Sequence, residues 1–427
     1  MDRTCKLNIL DNGAKYVETH VPGELIYIEV FINVGWDDES DQTNGICHFL
    51  EHMNASFTSH KYPNASENRK KFDNYGVNTN AYTSSKTCGY HLEVHCRKSL
   101  EIVDLFMQSI VDYKLDESIL TEEANAIRNE LNSGYVDSAW YDFETTWDKT
   151  CFRDHIRAIE IKEQVKNVDH LLNNSHMLLE WRTNYYCPCE MTVSIAGDPE
   201  CEQWQDIRTL VIDFMGRLQD SPSRINRSYI SPSPSGRQDI HLDKVTSSKV
   251  RFLYHIPITC NDHHAKLCAD IWRKVIVKGL SSRLYKLRYE NDGMIYGIRV
   301  KLLIDNNQTR MSGMYIETTC KPIHVDMVCK RIQEELMYPP TQDELERVKN
   351  AMVVENAGID YVQSVSKFGH MYGSFAHLHG NLISNKTLRQ TKLWLVENTH
   401  QMFNDLIKFW EEHPPFVLCG HPKKDNV

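Results

Sequence analysis

Residues 45–53 read GICHFLEHM, and three of them carry chemistry. His48 and His52 stand four apart with Glu51 just before the second, in the order H-x-x-E-H. On a helix the two imidazoles lie one turn apart on one face. They can then share a tetrahedral zinc ion, which leaves the intervening carboxylate to act as a base toward water. A polar helix face with two solvated histidines fits the same letters. A catalytic zinc also takes a third protein ligand. The stretch DESILTEEANAIRNELN, residues 116–132, offers two carboxylates seven apart, Glu123 and Glu130. Leu120, Ile127 and Leu131 flank them. Both therefore sit at the edge of an apolar stripe, where a carboxylate needs a partner, and a metal is one. An exposed charged face accounts better for Glu122 and Arg128.

The elements that must hold these groups can be read from periodicity. Ile46, Phe49, Leu50 and Met53 recur at helical spacing, so residues 45–53 are expected to bury one side, with Asn44 as N-cap. Helical patterns run over 99–112, 116–132 and 165–184, then over 264–289, 324–336 and 341–357. Apolar runs at 28–35, 193–199, 249–257 and 416–422 are expected to be strands. Strands at both ends of each half, joined by long helical connections, predict an α+β fold. The expectation is two duplicated domains, each a mainly antiparallel sheet with helices packed on one face. Gly197 of VSIAGDP aligns with Gly420 of FVLCGHP at an offset of 223, and Val30 aligns with Phe252 at 222. The Ser- and Pro-rich segment 221–237 is the expected linker. It separates a metal-bearing domain, 1–220, from a homologous domain without a metal, 238–427. The second half has no H-x-x-E-H, and its His263 and His264 are adjacent, so they cannot share a helix face as ligands do.

With 427 residues, 41% hydrophobic and 25% charged, the chain can bury cores in two or three domains. A net charge of −10 argues against a general nucleic-acid binder. No segment approaches the roughly 20 apolar residues of a membrane helix. The start MDRTCKLNIL reads as neither signal peptide nor presequence. An intracellular, cytoplasmic location is expected, and with it free thiols at the 13 scattered cysteines.

The wider run VGWDDESDQTNGICHFLEHM resembles the approach to the metal helix in the inverted-motif zinc metallopeptidases. That family includes pitrilysin, insulin-degrading enzyme and the mitochondrial processing peptidase. Its third ligand is a glutamate about 75–80 residues after the second histidine, with another glutamate seven residues before it. Glu130 lies 78 residues after His52. The resemblance therefore implies His48, His52 and Glu130 as ligands of one zinc ion per chain. It implies Glu123 as the carboxylate behind them and Glu51 as the general base. GVNTNAYTS, residues 76–84, is similar to the family's edge strand. It implies that Asn80 and Ala81 lie beside the scissile bond of a peptide added as one more strand. YYCPCEMTVSIAGDPE, residues 185–200, is similar to the last strand of the family's first domain. GLSSRLYKLRYENDGMIYGI, residues 279–298, is similar to the second-domain helix and strand from which an arginine and a tyrosine reach the substrate. Arg288 and Tyr296 match them, eight apart, one more than the family spacing, and would steady a developing oxyanion. NASFTSHKYPNASENRKK, residues 54–71, departs from the family. Family members close a chamber from four such domains, so two imply a dimer, with itself or with a related subunit. The implied function is a zinc metalloendopeptidase acting on peptides or unfolded segments. The alternative is a catalytically inactive structural or assembly subunit.

Overall fold

A computed structural model describes residues 5–97, 99–153, 155–219, 222, 223, 225, 227, 234–256, 263–289, 293–303, 312–361, 365–379 and 400–423. The chain forms two compact units. The first takes residues 1–136, 159–227 and 362–382; the second takes 137–158, 228–361 and 383–427.

The first unit is built on a six-stranded sheet in the order β1-β2-β6-β3-β5-β4. Its strands are β1 (Cys5–Ile9), β2 (Lys15–His20), β3 (Leu25–Ile32), β4 (Asn78–Thr83), β5 (Cys88–His95) and β6 (Met191–Gly197). Only β2 and β6 run parallel. Ile26, Ile28, Val30 and Ile32 of β3 enter a core with helices α1 (Ile46–Asn54), α3 (Leu100–Val111), α4 (Glu117–Leu131) and α8 (Trp204–Gly216). Helices α2 (Ala65–Tyr75), α6 (Ile161–Asn173) and α7 (His176–Tyr185) complete this layer. Successive strand residues point to opposite faces, so Tyr27, Glu29 and Phe31 face the other way. There α12 (Val365–His379) lies against them. Gly369 and Gly373 let it approach: a Cβ would stand 2.4 Å from the Tyr27 ring or 2.5 Å from Ser194. Burial on both faces explains why β3 reads as a continuous apolar run rather than an alternating one.

The second unit has the order β7-β11-β8-β10-β9. These strands are β7 (Gly236–Leu242), β8 (Ser248–Ile256), β9 (Ile295–Leu303), β10 (Ser312–Cys320) and β11 (Phe416–Pro422), with only β7 and β11 parallel. One core takes α9 (His263–Val277), α10 (Val325–Leu336), α11 (Gln342–Tyr361) and α13 (His400–Glu412). A second cluster seats α5 (Tyr141–Phe152) through Phe143, Trp147 and Phe152 against Leu242, Leu253, Phe416 and Leu418. The strand order repeats that of β2-β6-β3-β5-β4, so the two sheets are duplicates in topology as well as in class. The cross-strand pair Val30–Val193, facing the helix layer of the first unit, corresponds to Phe252–Val417 in the second. The offset of 222 at Val30 thus joins residues on the same face, each packed on its helix layer, whereas an offset of 223 along β3 would exchange the two faces.

Local differences have local causes. The pattern at 165–184 divides into α6 and α7 around Asn174 and Ser175. The pattern at 264–289 stops at Val277 because Gly279 turns left-handed at φ 90, and Arg288 closes a short 3-10 turn. His263 and His264 begin α9, but their side chains lie outside the described residues, as does much of segment 221–237. Arg227 from that segment is tied to the first unit by Asp38 at 2.6 and 2.7 Å. Cys96 and Cys201 form a disulfide, against the expectation of free thiols throughout. Among the described residues no helix is long and apolar enough to cross a membrane.

Candidate metal centre

Helix α1 is fixed at both ends by groups distant in sequence. Its N-cap is Gly45 rather than Asn44, in the left-handed region at φ 91, which glycine adopts without steric cost. Glycine has no side chain to cap with, and Glu39 supplies the cap. Its carboxylate accepts from the backbone N–H of Gly45 at 2.7 Å and of Cys47 at 3.0 Å. Burial pushes the Glu39 carboxyl up to about 7, against the pull of these two hydrogen bonds. At the other end Arg182 donates to Asn54 Oδ1 at 3.0 Å and to the Ile110 carbonyl at 2.5 Å. Its guanidinium lies 4.3 Å from the ring centres of both Tyr113 and Tyr186.

With α1 so held, its apolar stripe is buried and the two histidines stand 4.9 Å apart, ring planes at 77°. Helix α4 brings Glu130 to them. Its Oε2 lies 3.6 Å from His48 Nε2 and 3.3 Å from His52 Nε2. One ligand atom from each of the three falls within 4.8 Å of the others. Glu123, two turns back, meets His52 Nδ1 at 3.3 Å. Arg69 of α2 donates to the other Glu123 oxygen at 2.8 Å. With Nδ1 donating to Glu123, the lone pair of His52 Nε2 is turned toward Glu130 and His48. Two imidazole nitrogens and one carboxylate oxygen, oriented from behind, form a donor set that fits an open zinc site.

The electrostatics follow from this arrangement. Burial lowers the His48 imidazole, and the neighbouring charge of His52 lowers it further. Burial alone would lower His52 too, but its hydrogen bond to Glu123 and the nearby carboxylates raise it. Glu123 is held below the carboxylate range chiefly by the His52 hydrogen bond, with help from Arg69 against burial.

Glu51 and His52 open onto a cavity of about 340 Å³ whose wall includes Asn80 and Ala81 of β4. Phe57, left-handed at φ 53, lines the same cavity and stacks on Phe72 at 4.0 Å. β4 is the edge of its sheet. The structure thus brings together His48, Glu51, His52, Glu123, Glu130, Asn80 and Ala81. Arg288 and Tyr296 belong to the second unit. Arg288 donates to the Tyr285 hydroxyl at 2.9 Å, and Tyr296 is 54% exposed on β9. Sequence reasoning did not find Arg69, Glu39 or Arg182, whose contacts span 6 to 128 residues. The only local hint was that Arg69 lies in the segment read as departing from the family.

Two family descriptions match the chain. "Insulinase (Peptidase family M16)" covers residues 17–154, and "Peptidase M16 inactive domain" covers residues 174–352. The chain belongs to peptidase family M16. Among M16 relatives, the "uncharacterized zinc protease YmxG" of Bacillus subtilis is 25% identical over 296 residues, 67% of either chain. The mitochondrial-processing peptidase subunit beta of Dictyostelium discoideum is 25% identical over 201 residues, 46% of this chain and 41% of that one. Cytochrome b-c1 complex subunit 1 of Mus musculus is 23% identical over 217 residues, 50% of this chain and 44% of that one. The match thus spans less than half the length of these two mitochondrial relatives. The fold is also that of solved M16-type structures. A protease from Helicobacter pylori superposes with a TM-score of 0.83 at 17% identity, covering 98% of this chain and 100% of that one. The periplasmic protease PqqL of Escherichia coli gives 0.77 at 14% identity, covering 100% of this chain and 48% of that one.

Proposed function

We propose that this M16 chain is a zinc-dependent endopeptidase that cleaves peptides or unfolded segments bound as an extended strand in a closed chamber. The observation that carries this reading is the convergence of His48, His52 and Glu130 beside a cavity walled by Glu51 and the edge strand β4. Zinc held by those three residues would act as a Lewis acid toward a peptide carbonyl and lower the pKa of water to about 7. Glu51 takes the water proton and passes it to the leaving amine. Glu123 keeps His52 turned to the metal side, and Arg69 keeps Glu123 in place. Among the described residues β4 has one unpaired edge, to which a peptide adds as a further strand beside Asn80 and Ala81. Arg288 and Tyr296 are assigned to the developing oxyanion. Arg288→Lys and Tyr296→Phe are then expected to lower kcat while KM holds. A dimer, with itself or with a related subunit, completes the proposal, and sedimentation tests it.

A second reading, a catalytically inactive structural or assembly subunit, is favoured by the likeness to cytochrome b-c1 complex subunit 1. The deciding experiment compares wild type with Glu51→Gln on unfolded peptides of graded length, with mass spectrometry of the products. The substitution keeps the side chain's size and spares the ligands. Cleavage by wild type alone, with zinc bound to both proteins, is the expected result. No cleavage by a folded, zinc-loaded wild-type dimer would favour the inactive subunit.

A further inference from the structure

We propose that the second unit carries a metal site of its own, in which Asp239, Cys419, His421 and Cys329 hold a thiolate-seeking divalent ion such as zinc. Neighbouring strands β7 and β11 run in parallel register, with Cys419 opposite Asp239 and His421 opposite His241. Side chains two apart on a strand share a face, so these residues gather on one side of the sheet. One ligand atom each from Asp239, Cys419 and His421 falls within 4.8 Å of the others. His421 Nε2 rests 2.7 Å from Asp239 Oδ1, much as His52 Nε2 rests against Glu130 in the first unit.

A fourth ligand would come from α10, from a residue that stands outside this group of three and beside its sulfur. Cys329 Sγ lies 3.8 Å from Cys419 Sγ. Two sulfurs bound to one tetrahedral zinc at ~2.3 Å each stand about 3.8 Å apart. Mixed sulfur, imidazole and carboxylate donors in four-fold array suit zinc better than a hard ion such as magnesium. Asp239 is oriented from behind, as ligating carboxylates are. Arg237 donates to its two oxygens at 2.9 and 2.7 Å and to Asp326 at 2.6 Å. A carboxylate has about four lone-pair sites, so this pairing leaves room for an ion. An approach exists as well: Cys329 lines an open cavity of about 350 Å³ together with Arg237 and Asp326.

The test uses the full chain, reduced and stripped of metal, titrated with Co²⁺. The cluster in the first unit has no sulfur ligand. A thiolate-to-cobalt charge-transfer band in the near ultraviolet therefore reports a cysteine-bearing site outside that cluster, which substitutions then identify. The band is expected to saturate by two equivalents in the wild type, one for each site, and by one equivalent when the first site is removed, and to disappear when zinc is added. His48→Ala/His52→Ala should leave it in place, Cys419→Ser should remove it, and Arg237→Gln should weaken binding about tenfold. Cys419 is fully buried, so its variant can fail to fold. His421→Ala, at a half-buried position, then carries the test and should also lose the band. Absence of the band in reduced, folded protein would overturn the proposal. So would a band indifferent to His421→Ala, or a Cys329–Cys419 disulfide as the pair's sole chemistry under reducing conditions.

Discussion

Replacing Glu123 by Gln asks whether the carboxylate behind His52 governs the metal site. The wild-type carboxylate serves two partners, His52 Nδ1 at 3.3 Å and Arg69 Nη2 at 2.8 Å. An amide has one acceptor oxygen instead of two and no charge, so it can serve one of them but not both. Groups behind metal ligands are each worth about 10–100-fold in affinity or activity. That is about 1.4–2.8 kcal/mol. The 3.3 Å contact is long for an N–H···O bond, whose usual range ends at about 3.2 Å. This places the expected loss of zinc affinity in the lower half, about 10–30-fold. Arg69 has a side chain 41% exposed, so solvent screens its pair with Glu123. Such a pair is worth no more than about 1 kcal/mol, and Arg69→Met should weaken zinc no more than about fivefold. The assay is competition with a chelator at two pH values. His52 is raised by Glu123, so protons compete with the metal there as pH falls. Losing that carboxylate lowers the imidazole and should make zinc binding less sensitive to acid. Zinc affinity within about twofold of wild type in Glu123→Gln, or a larger loss in Arg69→Met than in Glu123→Gln, would refute the relay.

Glu39 predicts a pH dependence of stability. Its folded value of about 7 exceeds the ordinary 4.5, so the folded protein keeps a proton that the unfolded chain releases between those values. Stability should fall by roughly 3 kcal/mol as pH rises through that window, and Glu39→Gln should remove the slope in urea unfolding. A slope unchanged in the variant would place the titration elsewhere. Gly373→Ala puts a methyl 2.5 Å from Ser194 and 2.6 Å from the Phe31 ring. Overpacking of this kind costs about 1–3 kcal/mol. Scanning calorimetry should show the Tm falling by about 2–4 °C for each kcal/mol. A variant as stable as wild type would mean that α12 can move off the sheet without loss.

The parts of this structure legible in the sequence are those written in local periodicity. The stripe Ile46, Phe49, Leu50 and Met53 marked α1 to within a residue of its ends, and the seven-residue spacing of Glu123 and Glu130 placed both on one face of α4. What failed depended on backbone conformation or on distant partners. The left-handed turn at Gly279 ends α9 early, although the apolar pattern continues. Gly45 caps α1 only because Glu39 reaches it from outside the helix. Arg69 sits in a stretch that resembles nothing in particular, and its role exists only once α2 and α4 are side by side. Periodicity tells which residues are buried, not what buries them, so the cover that α12 gives to β3 could not be read from either segment.

That cover has a consequence for how the protein is made. A ribosome delivers β3, α1, α4 and β6 within the first 200 residues, yet the helix that closes the outer face of their sheet begins at Val365. During that interval Tyr27, Phe31 and Ser194 face water. Helix α5 waits in the same way, its Phe143 and Trp147 only partly covered by Leu242 and Leu253 until Phe416 and Leu418 arrive. Neither sheet can be finished from its own stretch of chain, and an interrupted product carries two adhesive surfaces that chaperones and proteases can detect. Completion of synthesis therefore governs solubility: only a chain translated to its last strand can hide both surfaces at once.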